Sequence, residues 1–108
     1  MAKQIEAAPN LVFEGIQAYA GHLSHEADYD TRMAESDKLE NRLRELLSYL
    51  KERGVAVKEV SGVSTGTVQF RRQDTVYTEV QPGSYIFMDA AYDHLNLKFK
   101  HSLFVLST

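Results

Sequence analysis

The feature that most limits how this chain can fold is a long helical pattern in residues 31–53. Its leucines recur on one face of a helix with 3.6 residues per turn: Leu39, Leu43, Leu46, Leu47 and Leu50. Asp30 is the expected N-cap, and Gly54 stands where a left-handed residue commonly ends a helix. We therefore predict one helix over 31–53. Its charged residues are expected to form a solvated face, with Glu40 and Arg44 as an i,i+4 ion pair.

Runs of strand-forming residues stand on both sides of this helical pattern. Residues 11–20 precede it and residues 55–60 follow it, and both are rich in β-branched and other apolar residues. A strand, a helix and a second strand form a βαβ unit, whose two strands are parallel. Because the apolar residues of 11–20 do not alternate strictly, this strand is expected to be covered on both faces. Further strands are predicted at 76–80, at 84–89 after a break at Pro82-Gly83, and at 102–108.

Composition excludes several classes of protein. The chain has 108 residues, no cysteine and a formal net charge of −3, so neither a disulfide framework nor a nucleic-acid or anionic-membrane partner is expected. No stretch approaches the roughly 18 apolar residues of a membrane span, and no signal peptide is recognised. These features predict a cytoplasmic protein. The open edges of a small parallel sheet further lead us to expect a segment of a larger α/β protein that forms a homodimer.

Two glycine-containing stretches follow predicted strands and are candidates for binding an anion. The stretch SGVSTGT occupies 61–67, and Gly83-Ser84 follows the next strand. Successive backbone N–H groups in such turns can converge on a phosphate. Taken alone, a turn of this composition is more often a plain connector, and neither a Walker motif nor a dinucleotide fingerprint is present. Tyr19, near the end of the first strand, either faces a ligand or packs at the end of the sheet.

Other polar residues carry weaker signals. His22 and His25 lie three apart, but no third ligand is near in sequence, so no metal site is predicted. Asp28 and Asp30 are expected to solvate the loop and to cap the helix. Lys58 is expected to be a solvated lysine at a strand edge.

Taken in order, three motifs resemble those of fold-type III pyridoxal-phosphate (PLP) enzymes, which are built on an alanine-racemase-like barrel. They are similar to the D-threonine aldolase and D-serine dehydratase branch of that group. The motifs are Ala18-Tyr19-Ala20-Gly21, Thr65-Gly66-Thr67, and the strand motif that runs from Gln81 to Asp89. Each motif alone is weak, but the ordered set covers nearly the whole chain.

The resemblance implies a fold and a division of the chain. The fold class would be α/β, a parallel-stranded βαβ segment of a TIM-type (β/α)8 barrel. Residues 1–90 would form a late-barrel segment, with helix end, strand, long helix, strand, phosphate turn and strand. Residues 91–108 would be a linker and the first strand of a C-terminal β-domain, and Asp89 and Tyr92, at this transition, would have structural roles.

The resemblance also implies which residues bind the cofactor. The phosphate of PLP would accept hydrogen bonds from Thr65, Gly66, Thr67, Gly83 and Ser84. Gln81 would face the pyridine nitrogen, where its neutral amide would keep the ring less cationic than an arginine would. Tyr19 would stack beside the ring. The Schiff-base lysine is expected upstream and the ligands of a divalent metal downstream, so no catalytic or metal-binding residue is assigned within this chain.

The function implied is that of a PLP-dependent enzyme acting on D-amino acids, by cleavage of the Cα–Cβ bond or by dehydration of D-serine. The 108 residues alone would not be active, because the reactive lysine is outside them. Two alternatives stay open at this point. One is an amino-acid racemase or a non-catalytic PLP-binding protein of the same superfamily. The other is a small α/β module that dimerises and binds no cofactor.

Overall fold

The computed structural model describes residues 1–101, in which a long helix covers one face of a short parallel sheet. The sheet contains three strands in the order β1-β2-β3. The regular elements are α1 (Ala2–Glu6), β1 (Gly15–Ala18), α2 (Tyr29–Glu52), β2 (Glu59–Gly62) and β3 (Glu79–Val80). Short 3-10 helices occupy Gly21–Leu23, Val68–Phe70, Ser84–Ile86 and Ala90–Leu95. No helix in the described part is long and apolar enough to cross a membrane.

The predicted parallel arrangement of the strands is confirmed. β1 pairs with β2 from Gly15 opposite Glu59 to Ala18 opposite Gly62, and Ser61 of β2 lies opposite Glu79 of β3. The strands are shorter than predicted, and β2 begins at Glu59 rather than at residue 55. The N–H of Val55 donates to the carbonyl of Leu50 at 3.0 Å, so it satisfies a carbonyl at the end of α2 and does not pair with a neighbouring strand.

Helix α2 begins two residues earlier than predicted, because its N-cap is Asp28. Asp28 has an extended backbone, and its carboxylate accepts the N–H of Thr31 at 2.8 Å. The prediction of Asp30 as the cap is therefore wrong, and Asp30 lies in the first turn. The predicted end is confirmed: Gly54 has a φ of +71° and donates its N–H to the carbonyl of Lys51.

The Asp28 cap gives a pH-dependent prediction. Hydrogen bonding from Thr31, by its side chain first and its backbone N–H second, lowers the pKa of Asp28. A carboxyl whose pKa is lower in the folded than in the unfolded state stabilises the fold above the unfolded pKa, and this contribution is lost as pH falls through the folded pKa. We expect Asp28→Ala to lower the melting temperature at neutral pH and to have a smaller effect in strong acid. Asp28→Asn keeps the cap without the charge, and a pH-independent effect of Asp28→Ala would contradict the prediction.

The helix buries its leucine face only in part. Leu43 is buried against Val60, Val63 and Tyr77, and the partly buried leucines Leu39 and Leu47 pack against this cluster. In contrast, Leu46 is 41% exposed. Leu46 lies along the helix between Leu43 and Leu47, so its exposure shows that the buried strip is narrower around the helix than the predicted leucine face.

Toward its N-terminus, the helix buries a polar stripe instead, formed by Arg32, Ser36 and Glu40. The prediction that the charges of this helix all form a solvated face is wrong for Arg32 and Glu40, which are 0% and 8% exposed. Arg32 donates to the carbonyl of Leu95 at 2.8 Å, and burial lowers its pKa. These buried polar side chains connect the helix to the chain that follows β2 and β3.

Glu40 is the centre of this connection. Its carboxylate accepts from Arg44 at 3.0 Å, which confirms the predicted ion pair, and from the backbone N–H of Val76 at 3.0 Å. It also forms an ion pair with Arg71, which in turn donates to Ser36 Oγ at 2.9 Å. Glu40 therefore holds the segment between β2 and β3 against the helix.

After β3 the chain does not continue as the predicted strand over 84–89. The N–H of Ile86 donates to the carbonyl of Gly83 at 3.3 Å, and that of Met88 donates to Ser84 at 2.7 Å. These local bonds use N–H groups that a strand would offer to a neighbour, so the prediction of a strand here is wrong. The strand predicted at 102–108 lies outside the described residues.

Candidate functional site

The residues singled out from the sequence lie at or just beyond the carboxyl ends of the three strands. Tyr19 follows β1, Thr65–Thr67 follow β2, and Gln81–Ser84 follow β3. The carboxyl ends of parallel strands share one edge of the sheet, which is where α/β proteins bind ligands. The N–H of Gln81 also contacts the carbonyls of Gly62 at 2.8 Å and Val63 at 3.1 Å. The segments that follow β2 and β3 are therefore hydrogen-bonded to each other at this edge.

Val63 turns the chain out of β2 and into the glycine-containing turn. Its φ is +65°, in the left-handed region that a β-branched residue rarely adopts. Its side chain is buried in the core, and its carbonyl accepts from Gln81. Packing and hydrogen bonding therefore hold a strained backbone directly before the candidate anion site.

The turn over 64–67 is closed by its own hydrogen bonds. The carbonyl of Ser64 accepts from the N–H groups of Thr67 at 3.1 Å and Val68 at 2.9 Å. The hydroxyl of Thr67 accepts the N–H of Ser64 at 3.0 Å. The side chain of Thr67 thus shapes the turn, and its hydroxyl is already engaged there.

Thr65 and Gly66 differ from Thr67 in having unused donors. The hydroxyl of Thr65 is buried without a hydrogen-bond partner in the part of the chain that the structure describes. Within that same part, the N–H groups of Thr65 and Gly66 also find no acceptor. Buried polar groups are normally paired, so these donors indicate a missing acceptor. An anion such as a phosphate fits this requirement.

Gly66 lies against the loop that follows β1. A Cβ at this position would overlap the carbonyl oxygen of Ser24 and would come within 3.3 Å of its Cα. Ser24 is buried, and its Oγ lies 3.4 Å from the hydroxyl oxygen of Tyr19. Ser24 was not among the residues predicted from the sequence, where its position shortly after Tyr19 was its only signal. Through Ser24, the structure brings Tyr19 and the 65–67 turn together.

Gly83 and Ser84 form the other candidate wall. A Cβ at Gly83 would have no atom within 4 Å, so the space beside this glycine is open. The hydroxyl of Ser84 donates to the hydroxyl of Tyr92 at 3.4 Å, and Tyr92 is buried with its ring 4.6 Å from that of His25. Asp89 accepts the N–H of Ala91 at 2.9 Å and so caps the last 3-10 helix. No hydrogen bond joins Ser84 directly to the 65–67 turn among the described residues.

The sheet face opposite α2 is polar. Because side chains alternate along a strand and Val60 points to the helix, Ser61 and its strand neighbours Gln17 and Glu79 share the other face. The hydroxyl of Ser61 donates to the carboxylate of Glu79. Gln17 donates to the side-chain oxygen of Gln81 at 2.7 Å. Gln17 and Glu79 were not among the residues predicted from the sequence, and Ser61 was predicted only as part of the 61–67 stretch, although polar residues two positions apart in β2 and after β3 were a visible signal.

The remaining polar candidates do not gather into a site. Lys58 forms an exposed ion pair with Glu14 at 3.0 Å, and His22 and His25 are exposed. Within residues 1–101, no group of three histidine, aspartate or glutamate side chains is arranged to hold a metal ion.

Burial raises the pKa of Tyr77, whose ring lies 2.5 Å from where a Cβ on Gly62 would be. This glycine is therefore required by close packing in the core.

Comparisons with known proteins find similarity to aldolases of D-amino acids. No protein-family profile matches the chain. It is 41% identical over 96 residues to the 3-hydroxy-D-aspartate aldolase of Paracoccus denitrificans (strain Pd 1222), covering 89% of this chain and 25% of that protein. It is 38% identical over 115 aligned positions to the D-threonine aldolase of an Arthrobacter species, covering 100% of this chain and 30% of the relative.

A solved structure shows the same similarity. The crystal structure of D-threonine aldolase from Filomicrobium marinum matches 94% of this chain with a TM-score of 0.87 and 33% identity, and the match covers 28% of that protein. The chain thus spans 25–30% of the length of these relatives. The α/β arrangement with parallel strands is shared with that structure.

Proposed function

Because this chain is homologous to one segment of the D-threonine and 3-hydroxy-D-aspartate aldolases, we propose that it supplies part of the cofactor site of a PLP-dependent lyase acting on D-amino acids. One structural observation supports the proposal independently of homology. The buried hydroxyl of Thr65 lacks a partner among residues 1–101, and it lies in the turn that the motif resemblance assigns to the cofactor phosphate. The racemase, carrier and cofactor-free alternatives are not favoured, because these relatives are all aldolases.

In this proposal, the phosphate lies between the turn after β2 and the connection after β3. Thr65 and Gly66 donate through their unused groups, Gly83 leaves room for the anion, and Ser84 donates its backbone N–H from the other side. Thr67 shapes the turn, while its backbone lies beside the phosphate. Two walls rich in donors suit a dianion, since hydrogen bonds to charged groups are about twice as strong as neutral ones.

Tyr19 and Gln81 are proposed to contact the ring of the cofactor. Tyr19 is 45% exposed, so its ring is available to stack on a flat ligand. Gln81 presents a neutral amide toward the pyridine nitrogen. When bound, PLP supplies an acceptor for the electron pair left when a bond at the substrate Cα breaks. Gln81 offers the ring nitrogen an uncharged hydrogen-bonding group, where an arginine would place a positive charge beside it.

The substrate proposed is a D-amino acid that carries a hydroxyl group on its β-carbon. Both relatives named above are aldolases of such compounds by name. In the cleavage, the Cα–Cβ bond breaks, the β-hydroxyl loses its proton and becomes the carbonyl of an aldehyde, and Cα gains a proton to give glycine. Dehydration of D-serine is the other branch that the motifs allow, and product analysis separates the two.

The wider organisation is also a proposal. Residues 1–90 would lie in a TIM-type barrel, with the polar face of the sheet toward its interior, and residues 91–108 would lead to a C-terminal β-domain. A homodimer in the cytoplasm is proposed, with a divalent metal held by residues outside this chain. The superposition on part of a larger aldolase supports the α/β arrangement with parallel strands, on which the rest of this proposal is built.

The test uses the full natural protein, incubated with PLP and then with D-threonine or 3-hydroxy-D-aspartate. We expect the red-shifted absorbance of a lysine imine and release of glycine from the D-substrates but not from their L-enantiomers. Racemisation without release of glycine would replace the lyase assignment. Absence of saturable PLP binding would contradict the proposal as a whole.

Thr65→Val tests whether the hydroxyl of Thr65 binds the cofactor phosphate. Valine keeps the shape of threonine and removes the hydroxyl, so PLP affinity is expected to fall roughly tenfold or more, as for loss of a hydrogen bond to a charged group. Since the hydroxyl lacks a partner within residues 1–101, the melting temperature without cofactor is expected to stay equal or rise. Thr65→Ser keeps a hydroxyl and should retain binding. An unchanged affinity for Thr65→Val would remove Thr65 from the phosphate site.

A further inference from the structure

We propose that Gln17 is a positioning residue that fixes which end of the Gln81 amide is presented to the cofactor ring. This inference rests on the proposed function, because it takes Gln81 to face the pyridine nitrogen. It adds a residue that none of the sequence motifs includes.

The geometry joins the two side chains across the central strand. Gln17 Nε2 donates to Gln81 Oε1 at 2.7 Å, and Gln81 Nε2 donates back to Gln17 Oε1 at 3.3 Å. The backbone of Gln81 is held separately, since its N–H contacts the carbonyls of Gly62 and Val63. Thus the sheet fixes the backbone of Gln81, and Gln17 fixes the rotation of its amide.

The pairing decides what Gln81 can offer. A primary amide has two N–H donors and a carbonyl oxygen with two lone pairs. Gln17 engages one lone pair and one N–H group of the Gln81 amide, which leaves one of each. A free neutral donor stabilises an unprotonated ring nitrogen, whereas a free lone pair would accept from a protonated one. By holding the plane and rotation of the amide, Gln17 decides which of these two groups faces the ring nitrogen.

The charged groups on this sheet face are occupied elsewhere. Glu79 accepts from the hydroxyl of Ser61, and Glu59 accepts from the hydroxyl of Thr78 at 2.5 Å. Helix α2 packs on the opposite face, so its charges do not point toward the amide pair. Because both carboxylates have hydroxyl partners, the Gln17 amide is the group that sets the orientation of Gln81.

The experiment compares absorbance spectra of the PLP-loaded full natural protein for Gln17→Ala, Gln81→Ala, the double variant and Lys58→Ala. With Gln17→Ala we expect the imine band to shift and kcat to fall roughly five- to tenfold, as for loss of one orienting hydrogen bond, with KM little changed. The double variant should match Gln81→Ala alone, because Gln17 acts only through Gln81. Lys58→Ala removes an exposed ion pair with Glu14 next to β2 without touching the amide pair, and its band should stay at the wild-type position.

A second variant keeps the test decisive if Gln17→Ala folds poorly. Gln17→Glu can only accept, so it should turn the Gln81 N–H groups toward itself and shift the band away from its wild-type position. An unshifted band in both variants, or additive effects in the double variant, would overturn the inference while leaving the proposed function intact. A wild-type protein without an imine band would instead overturn the proposed function and this inference with it.

Discussion

Replacing Gly66 by alanine is expected to destabilise the protein and to remove most of its affinity for PLP. The added Cβ would overlap the carbonyl oxygen of Ser24, which is backbone and cannot move aside as a flexible side chain would. Forcing an extra carbon into a packed site typically costs about 1–3 kcal/mol. The same displacement would move the N–H groups of Thr65 and Gly66, so we expect PLP affinity to fall by roughly an order of magnitude or more.

A neighbouring glycine supplies the control for Gly66→Ala. A Cβ at Gly21 would lie 3.6 Å from the nearest atom of the Tyr19 ring, which is an ordinary contact. Gly21→Ala is therefore expected to change the free energy of unfolding by no more than about 0.5 kcal/mol. Urea denaturation and PLP titration of both variants make the comparison. Equal stability and equal affinity for the two would show that the contact between Gly66 and Ser24 does not hold the turn in place.

Replacing Glu40 by alanine is expected to have the largest effect on stability. Glu40 and Arg71 side chains are only 10% and 11% exposed, and Glu40 also accepts the backbone N–H of Val76. Removing the carboxylate leaves a buried guanidinium without its counter-charge and the Val76 N–H without its acceptor. Breaking a buried pair from one side typically costs about 3–5 kcal/mol. The stabilisation of the segment between β2 and β3, which carries the candidate phosphate turn, would be lost with it.

Glu35 on the same helix gives the matched comparison. Its ion pair with Lys38, at 3.2 Å, has both side chains about half exposed. Exposed pairs contribute about 0–1 kcal/mol, so Glu35→Ala should unfold at nearly the same urea concentration as the wild type. Glu40→Gln, which keeps shape and some hydrogen bonding, should lie between the two. If Glu40→Ala were no more destabilising than Glu35→Ala, the buried network would not contribute to stability.

Local patterns in the sequence predicted the central elements of this fold. The leucine period predicted α2, and Gly54 predicted its end, because both depend on residues within a few positions of one another. The order of three short motifs predicted the kinship with D-threonine aldolases, which the comparisons confirm. The strand boundaries were less well predicted. The N–H of Val55, predicted to lie in a strand, instead donates to the carbonyl of Leu50 in α2.

The contacts that build the candidate site were decided by the tertiary structure. Arg71 pairs with Glu40 across 31 positions of sequence, and Gln17 pairs with Gln81 across 64. A periodic pattern within a short stretch of sequence does not predict such pairs, because they form only when the strands are aligned and α2 is packed on them. The sequence by itself determined the helix, the parallel strands and the motif order, through short-range preferences. Only the tertiary structure decided that Ser24 supports Gly66 and that Gln17 orients Gln81, because backbone pairing across the sheet places those residues side by side.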